Sequence, residues 1–398
     1  MVFDRRRPAI WNLKSFLIMR RSNCSVATSY AVNDNDMQNS IKAGISLIRT
    51  KIDSLWDQQD FFKSFFTING FSFWESLKPF FMELCEKRIL EAMSEIEITK
   101  RLLEKYNFTS IMVWSETGFN EQIIIKLAKK FKIPIVLIQH GGIGWDTPKA
   151  CEFNKFTGVF PLESDKFITW GNGFTQYAIN CGISSSKIEV LGSPIYDESF
   201  DRMTHRLNLK NDFILLATSS PTNNIVHDLT LKTRQNYELA IQKICETISK
   251  MNKKLVIKLH PFQEEQDITN LAKQIDPKII IVKKGDILSL IESCEVLLTI
   301  DITSAILEAQ MFGKPVITIP VKDYGFGDPE VYRSNSCIRT NPSNFENVLN
   351  QILNDNNFRK QLIENANRFV EYSLSNRGTA VEEILSFLQK LETMKFLY

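Results

Sequence analysis

The sequence has no long apolar run and no excess of either charge. None of its 398 residues falls in a stretch approaching the roughly 18–20 apolar residues that a membrane-spanning helix needs, so no such helix is expected. Arg5, Arg6 and Arg7 are not followed by an unbroken apolar segment, which argues against a secretory signal. The 48 basic and 46 acidic residues give a formal net charge of +2, which provides no global field for binding nucleic acid.

Cysteine and histidine are sparse as well. The seven scattered cysteines include no CxxC pair, and their odd number argues against a disulfide framework, so a reduced, cytoplasmic protein is expected. No HExxH motif and no clustered His/Cys spacing occurs, and we therefore expect neither a metal nor another cofactor. No GxGxxG follows an apolar run, which disfavours a single dinucleotide-binding Rossmann enzyme.

The apolar pattern predicts two successive series of strands and helices. Residues 72–105 have apolar side chains at helical spacing, which indicates one or two long helices. Short apolar runs then alternate with helical patterns, as in a parallel sheet that is covered on both faces. The predicted strands are Ser110–Trp114, Ile133–Ile138, Lys166–Gly173 (with its turn) and Ile188–Leu191, then Phe213–Ala217, Lys254–Leu259, Lys278–Val282, Val296–Ile300 and Pro315–Ile319.

This order predicts an α/β fold of two doubly wound, Rossmann-like domains that face each other across a cleft. The polar stretch Asp201–Asn211 is the predicted linker, and Asn344–Leu391 is predicted to be helical throughout. We place the domains at residues 1–205 and 206–376, followed by a C-terminal helical segment, 377–398, that packs back on them.

The N-terminal 21 residues hold six basic side chains and one acid. Such a charge run is usually the solvated start of a first strand–helix unit. The alternative is a peripheral contact of Arg5–Arg7, Arg20 and Arg21 with an anionic membrane, at the inner face of the plasma membrane.

Ligands of doubly wound sheets bind beyond the carboxyl ends of the strands, so polar residues at those ends are candidates. His140 follows the strand Ile133–Ile138 and suits proton transfer near neutral pH. Gly141 and Gly142 after it would let the backbone approach a ligand or adopt positive φ. Glu116 follows the preceding strand, and it would orient His140, act as the base itself, or cap the next helix.

Three strand ends of the second series carry candidates for binding a phosphorylated ligand. Ser219, Ser220 and Asn223 follow Phe213–Ala217 in a hydroxyl-rich loop that offers donors to a phosphate or a sugar. His260, with Pro261 after it, ends the strand Lys254–Leu259. Thr303 and Ser304 are predicted to cap a helix, with Glu308 one turn further on the same face, where a carboxylate can accept from the two hydroxyls of a ribose.

These segments resemble GT-B glycosyltransferases of the surface-carbohydrate branch. That branch includes capsule polysaccharide transferases, CDP-glycerol glycerophosphotransferases and HP-motif sialyltransferases. The resemblance rests on VLIQHGG, ITWGNGFTQYAINCGISSSKIEVLGSPIYD, LVIKLHP and LLTIDITSAILEAQMFGKPVITI, in this order, and runs from about Ser110 to Arg377. It assigns the acceptor and the catalytic groups to the first domain and the nucleotide donor to the second.

The resemblance also implies roles for single residues. His140 matches the HG-motif histidine implicated in catalysis, and His260 matches the HP-motif histidine that contacts the donor phosphate. Thr303 and Ser304 match the hydroxyl pair that follows it, and Glu308 matches the carboxylate near the ribose. The expected partners are a UDP- or CMP-linked sugar and a glycan or lipid-linked glycan acceptor.

Two alternatives stay open at this point. The chain is also similar to UDP-N-acetylglucosamine 2-epimerase, with Ser115-Glu116-Thr117 at that enzyme's Gly-Asp-Thr. It departs from the epimerase where His140 replaces a glutamate and where Ser219-Ser220 replaces a His-Arg pair, and both of those groups serve the epimerase chemistry. The second alternative is a non-catalytic GT-B-like subunit that binds a carbohydrate or a nucleotide.

Overall fold

The computed structural model describes residues 35–141, 144–145, 147–204, 212–218, 231–260, 265–323 and 325–394. The chain divides into two compact units, one of Met1–Ile138, Thr157–Phe167 and Phe387–Tyr398, the other of Gln139–Phe156 and Ile168–Ser386. These units do not test the domain limits predicted from the sequence. The domain limits at 205/206 and 376/377 therefore stay a prediction.

The first described segment is a helical hairpin with a small β-hairpin at its turn. Its elements are α1 (Asn35–Trp56), α2 (Gln59–Phe65), β1 (Thr67–Ile68), β2 (Phe71–Ser72) and α3 (Trp74–Lys105). β1 and β2 pair antiparallel around Asn69-Gly70, and both turn residues have positive φ (52° and 78°), as a two-residue hairpin turn requires. Trp74 is completely buried, and its ring lies 4.5 Å from that of Phe62.

A four-stranded sheet follows, in the order β3-β4-β5-β6. Its strands and helices are β3 (Ile111–Val113), α4 (Phe119–Lys130), β4 (Ile135–Ile138), α5 (Pro148–Phe156), β5 (Lys166–Thr169), α6 (Asn172–Asn180), β6 (Ile188–Val190) and α7 (Asp197–Thr204). β3 and β4 are parallel and fully buried, which explains why their sequences are continuous apolar runs.

The second sheet has six parallel strands in the order β12-β11-β10-β7-β8-β9. Its elements are β7 (Phe213–Ala217), α8 (Leu231–Lys250), β8 (Lys254–Lys258), α9 (Glu265–Ile275), β9 (Ile280–Val282), α10 (Ile287–Ser293), β10 (Val296–Ile300), α11 (Ala305–Met311), β11 (Val316–Ile319), α12 (Glu330–Arg333) and β12 (Ile338–Arg339). Helical connections between parallel strands are what the alternating pattern predicted.

Each face of the six-stranded sheet has its own apolar core. Ile214 and Leu216 of β7 belong to one core, and Leu215 and Ala217 belong to the other, because successive side chains of a strand point to opposite faces. The α/β class with parallel sheets is therefore confirmed. No helix in the described ranges is both long enough and apolar enough to span a membrane.

The C-terminal segment forms three helices where the sequence predicted continuous helix. They are α13 (Phe345–Asn354), α14 (Asn356–Ser373) and α15 (Ala380–Met394). Asp355 starts α14 by accepting from the N–H groups of Asn357 and Phe358. The break after α14 packs against Gly171, where a Cβ would lie 2.4 Å from the Ser373 carbonyl oxygen, so Gly171 of the ITWGNG motif is required for packing.

The structure corrects the expectation that the cysteines are unpaired. Cys151 of α5 and Cys181, which follows α6, form a disulfide with a Cα–Cα distance of 5.3 Å. An odd number of cysteines does not exclude one bridge, and a separation of 30 residues without a CxxC motif gave no local signal. Cys245, Cys294 and Cys337 are buried as free thiols, and burial raises the pKa of each to about 12.

Candidate functional site

The strand order of the six-stranded sheet locates its ligand-binding edge. Numbered along this half of the chain, β9-β8-β7-β10-β11-β12 is the order 3-2-1-4-5-6. The order reverses between β7 and β10, and open α/β sheets bind ligands outside the carboxyl ends of the strands at that point. Thr218 follows β7, and Asp301 follows β10. Of the predicted donor residues that the structure describes, Thr303, Ser304 and Glu308 follow β10, and His260 follows β8, the neighbour of β7.

His260 lies in a turn that the neighbouring strand end holds in place. Its main-chain N–H donates to Oγ1 of Thr218 at 3.0 Å, and the N–H of Thr218 donates to the carbonyl of Lys258 at 3.0 Å. His260 is itself half-buried. Thr218 thus connects the ends of β7 and β8, and it fixes the backbone from which the His260 side chain projects.

Lys258 is a buried lysine that the sequence reasoning did not assign. Its Nζ donates to the carbonyl groups of Leu259 and Lys283, each at 2.9 Å. Burial lowers the pKa of this amine. The residue was visible in LVIKLHP, but nothing in the sequence distinguished a lysine that binds backbone carbonyls from one at the surface.

Asp301 holds the turn that leads to Thr303 and Ser304. It is 1% exposed, and its φ of +60° lies in the left-handed region that non-glycine residues seldom adopt. Its Oδ1 accepts from the N–H groups of Val321 and Lys322, at 2.7 and 2.9 Å. Such an outlier persists only where its surroundings fix it, and outliers of this kind cluster at functional sites. Asp301 lies within LLTIDITSAILEAQMFGKPVITI, but the sequence predicts no role for it.

Thr303 and Ser304 share the predicted capping role unequally. Oγ1 of Thr303 accepts from the N–H of Ala305 at 3.4 Å, whereas the exposed Ser304 makes no side-chain capping bond. α11 itself has only seven residues. The N–H of Glu308 donates to the Ser304 carbonyl at 3.2 Å, which places the two residues one helical turn apart.

Glu308 is half-buried and lies near Tyr196. Burial, and secondarily the negative charge of Glu308, raise the pKa of the Tyr196 phenol well above its usual value. The Tyr196 ring meets that of Trp170 edge to face, with centroids 5.5 Å apart, and both rings belong to the core that includes α11. Motif residues of the ITWGNG and GSPIY segments therefore pack around the helix that carries Glu308.

His140 is exposed at the end of β4, directly after a completely buried glutamine. Oε1 of Gln139 accepts from the Trp170 N–H at 2.8 Å, and its Nε2 donates to the Gly141 carbonyl at 2.6 Å. Gly141 does not have a positive φ, and a Cβ there would meet nothing within 4 Å. The described structure therefore does not require a glycine at 141, and the role predicted for it stays a prediction.

Glu116 has a structural role that its position in the sequence did not reveal. It is completely buried, and its carboxylate accepts from the N–H groups of Leu162, Glu163 and Ser164 at 2.7, 2.7 and 2.9 Å. It does not cap the following helix, whose N-cap is Gly118. Both carboxylate oxygens bind this turn, which favours a loop anchor over a proton acceptor.

Several predicted positions lie outside the described residues. These are Gly142, Ser219, Ser220 and Asn223 of the candidate site, and Arg5–Arg7, Arg20 and Arg21 of the basic N-terminus. Within the described ranges, no group of three or more His, Cys, Asp or Glu side chains is arranged to hold a metal ion.

Comparison with known proteins identifies the fold. No protein-family model matches the chain, and no curated protein matches it. Solved structures do match. Staphylococcus aureus MnaA in complex with UDP has a TM-score of 0.52 and 15% identity, over 75% of this chain and 84% of its own. Neisseria meningitidis UDP-GlcNAc 2-epimerase bound to UDP-GlcNAc has a TM-score of 0.52 and 16% identity, over 76% and 82%.

A plant protein matches equally well. Os79 from O. sativa in complex with UDP has a TM-score of 0.52 and 12% identity, over 76% of this chain and 83% of its own. The chain has the GT-B fold. At these identities the likeness establishes the fold and leaves the reaction to be argued from the site.

Proposed function

We propose that this chain is a metal-independent glycosyltransferase that moves a sugar, or a related polyol phosphate, from a nucleotide-activated donor to a surface glycan acceptor. The observation that carries the proposal is the reversal of strand order between β7 and β10. Thr218 follows the carboxyl end of β7, and Asp301–Ser304 follow the carboxyl end of β10. UDP or a UDP-sugar is present in all three solved structures compared above, which supports a nucleotide-sugar donor.

Backbone anchoring supports the donor half of the proposal. The backbone at His260 and the 301–304 turn are each held by a buried side chain, Thr218 and Asp301 respectively. In the proposed complex, His260, Thr303 and Ser304, with Ser219, Ser220 and Asn223, bind the donor phosphates, and Glu308 binds the ribose. Hydrogen-bond donors that are already in position stabilise the negative charge that develops on a leaving phosphate, because they do not have to reorganise during the reaction.

His140 is the proposed general base toward the acceptor hydroxyl. It is exposed, it follows a strand end, and Gln139 fixes its backbone on both sides. A neutral imidazole accepts a proton at the pH of the cell. Glu116 is assigned to the turn at 162–164, so we do not route proton transfer through it.

A UDP-sugar 2-epimerase is the second candidate, because the Neisseria epimerase shares the fold over three quarters of this chain. The residues at the corresponding motifs disfavour it. His140 stands where the epimerase motif has a glutamate, and Ser219-Ser220 stand where it has His-Arg, so the groups that serve its chemistry are replaced.

Donor turnover tests the proposal directly. A thermal-shift screen of UDP, CMP and GDP first identifies the nucleotide, since a ligand at 100 times its Kd adds about 2.7 kcal/mol of stability. The matching sugar nucleotide is then incubated with and without a glycan acceptor. Acceptor-dependent release of the nucleotide supports transfer, C2 epimerisation without acceptor supports the second candidate, and binding without any product supports a non-catalytic subunit.

Two histidine-to-alanine variants, one a test and one its control, examine the donor site. His260→Ala should weaken nucleotide affinity by about 10- to 150-fold, the effect of losing one charge-assisted hydrogen bond. His205→Ala, in the predicted linker, should leave that affinity unchanged. Calorimetry that finds wild-type affinity in folded His260→Ala would remove His260 from the donor site.

A further inference from the structure

The hairpin between α2 and α3 carries an uncharged, aromatic tip. Residues 64–73 read SFFTINGFSF, ten positions with four phenylalanines and no ionisable side chain. The turn at Asn69-Gly70 closes the two short strands, which connect α2 with α3. The motifs that define the candidate site include none of these residues.

The apolar side chains of this region face outward to an unusual degree. We call them the hairpin patch, and each exposes between 41% and 73% of its surface: Phe61, Phe65, Ile68, Phe71, Phe73, Leu77, Phe80 and Leu84. Single exposed apolar residues are ordinary, but a contiguous group of this size marks an interaction surface.

The members of the patch are continuous across three elements. The rings of Phe71 and Phe73 are 5.0 Å apart, which connects the hairpin with the start of α3. Phe73, Leu77, Phe80 and Leu84 then follow at spacings of four, three and four residues, which places them along one side of that helix.

The exposed rings do not result from a missing core. Beneath them, Trp56, Phe62 and Trp74 form a separate buried cluster, and the indole N–H of Trp74 donates to Oε1 of Gln59 at 2.8 Å. The segment therefore has one apolar side that forms this cluster and a second apolar side that is exposed among the described residues.

We propose that the hairpin patch inserts into the interfacial region of a lipid bilayer. Residues 64–73 at the centre of the patch have no ionisable side chain, and an uncharged aromatic surface is one that the interfacial region of a bilayer accommodates. The nearest flanking charges, Lys63 and Glu75, pair with each other at 3.5 Å, so the tip presents neither an excess charge nor an unpaired ionic group to the lipid. The inference is independent of the proposed transferase function.

The absence of charge makes this contact distinguishable from one through the basic N-terminus. Attraction between arginines and anionic lipid weakens as salt rises, because salt screens it. Burial of phenylalanine in the interface depends on apolar area and is not weakened by salt. The hairpin patch should therefore bind zwitterionic and anionic vesicles alike, at low and at high salt.

Vesicle flotation of the full-length protein tests the proposal. The wild type should float with phosphatidylcholine vesicles, with and without phosphatidylglycerol, and high salt should not release it. The double substitution Phe71→Ser, Phe80→Ser should reduce the bound fraction by about tenfold or more, since each ring contributes to partitioning. Phe156→Ser is the matched control, because Phe156 is 81% exposed on α5 and lies outside the patch.

The remaining outcomes contradict the proposal. Recovery of the wild type in the supernatant with both lipids would overturn it, as would binding that is lost in salt and indifferent to the double substitution. Light scattering that finds a dimer, dissociated by the double substitution, in a protein that does not float would assign the patch to a second copy of the chain. Circular dichroism of each variant verifies that the solvent-exposed substitutions leave the fold intact.

Discussion

The main-chain N–H of His260 donates to the hydroxyl oxygen of Thr218 at 3.0 Å, across the ends of two neighbouring strands. This bond fixes the position of a candidate donor residue without using its imidazole. Gln139 does the same for the turn that contains His140, and Asp301 does so for the turn before Thr303. Each candidate loop is thus held by a buried polar side chain that is not itself expected to touch the ligand.

The first prediction concerns Thr218 as a positioning residue. Thr218→Val keeps the shape of the side chain and removes the acceptor for the His260 N–H, whereas Thr218→Ser retains it. We expect Val to weaken nucleotide affinity by about fivefold, equivalent to the roughly 1 kcal/mol of a neutral hydrogen bond, and Ser to restore most of it. Isothermal calorimetry on both variants checks this, and equal affinities would show that the bond does not position His260.

The second prediction separates a structural from a catalytic Glu116. Glu116→Gln replaces a carboxylate that accepts three backbone N–H groups by an amide with only one acceptor oxygen. Because buried donors lose their partners, the free energy of unfolding should fall by on the order of 3 kcal/mol. Urea denaturation measures this change. A variant with wild-type stability and abolished turnover would instead make Glu116 a catalytic residue.

The third prediction concerns the bridge between α5 and α6. Non-reducing peptide mapping should recover the Cys151 and Cys181 peptides joined. A closed loop of this length should contribute about 3–4 kcal/mol, so reduction should lower Tm, and the double substitution to serine should lower it equally. The double variant should then no longer respond to reductant. A wild type whose Tm is insensitive to reductant would contradict the bridge.

Most of the regular structure could be predicted, because parallel strands buried on both faces are short continuous apolar runs. Val296–Ile300 and Phe213–Ala217 have the predicted limits. The β-hairpin was not predicted although Asn69-Gly70 is a strong turn signal, because its two strands have only two residues each and are too short to show an alternating pattern. The break at 374–379 was missed although it contains Asn376 and Gly378, which both have positive φ.

The candidate site was predictable to the extent that its residues follow strands directly. His140, His260 and the 301–304 turn all lie at carboxyl strand ends, as their positions in the sequence predicted. The anchoring residues were not predictable in the same way. The carboxylate of Asp301 binds residues 20 positions away, and that of Glu116 binds residues 46 to 48 positions away, so neither role has a local signature.

The fourth prediction is a pH dependence of stability. Hydrogen bonds from Lys126 and Lys129 lower the pKa of Glu163 below its ordinary 4.5. A carboxyl whose pKa is lower in the folded state contributes stability that is present above the unfolded pKa and is lost as pH falls through the folded one. Glu163→Gln should therefore cost roughly 0.2–1 kcal/mol at neutral pH, because the pair is solvent-screened, and nothing in acid. Urea denaturation of the wild type and of Glu163→Gln, from acid to neutral pH, measures the difference in their free energies of unfolding. A difference that does not change with pH would exclude the ion pairs as its source.

The last prediction tests the proposed base. His140→Ala should lower kcat by about 10²–10⁴, the usual contribution of general-base catalysis, while nucleotide affinity stays near that of the wild type. The wild-type rate should rise with pH through a single ionisation, because only the neutral imidazole accepts a proton. Asn and Gln at 140 should not restore the rate, since an amide is not a base.

The neighbouring Gln139 supplies the control that a purely structural role of His140 would fail. Gln139→Leu removes both bonds that hold the turn, to Trp170 and to Gly141, and leaves the imidazole in place. If His140 is the base, Gln139→Leu should have a low kcat whose pH profile still shows the single ionisation. His140→Ala should have a low kcat and no such ionisation in its pH profile. Full turnover by folded His140→Ala would make the histidine structural, and acceptor-free interconversion of C2 epimers by the wild type would replace transfer with epimerisation.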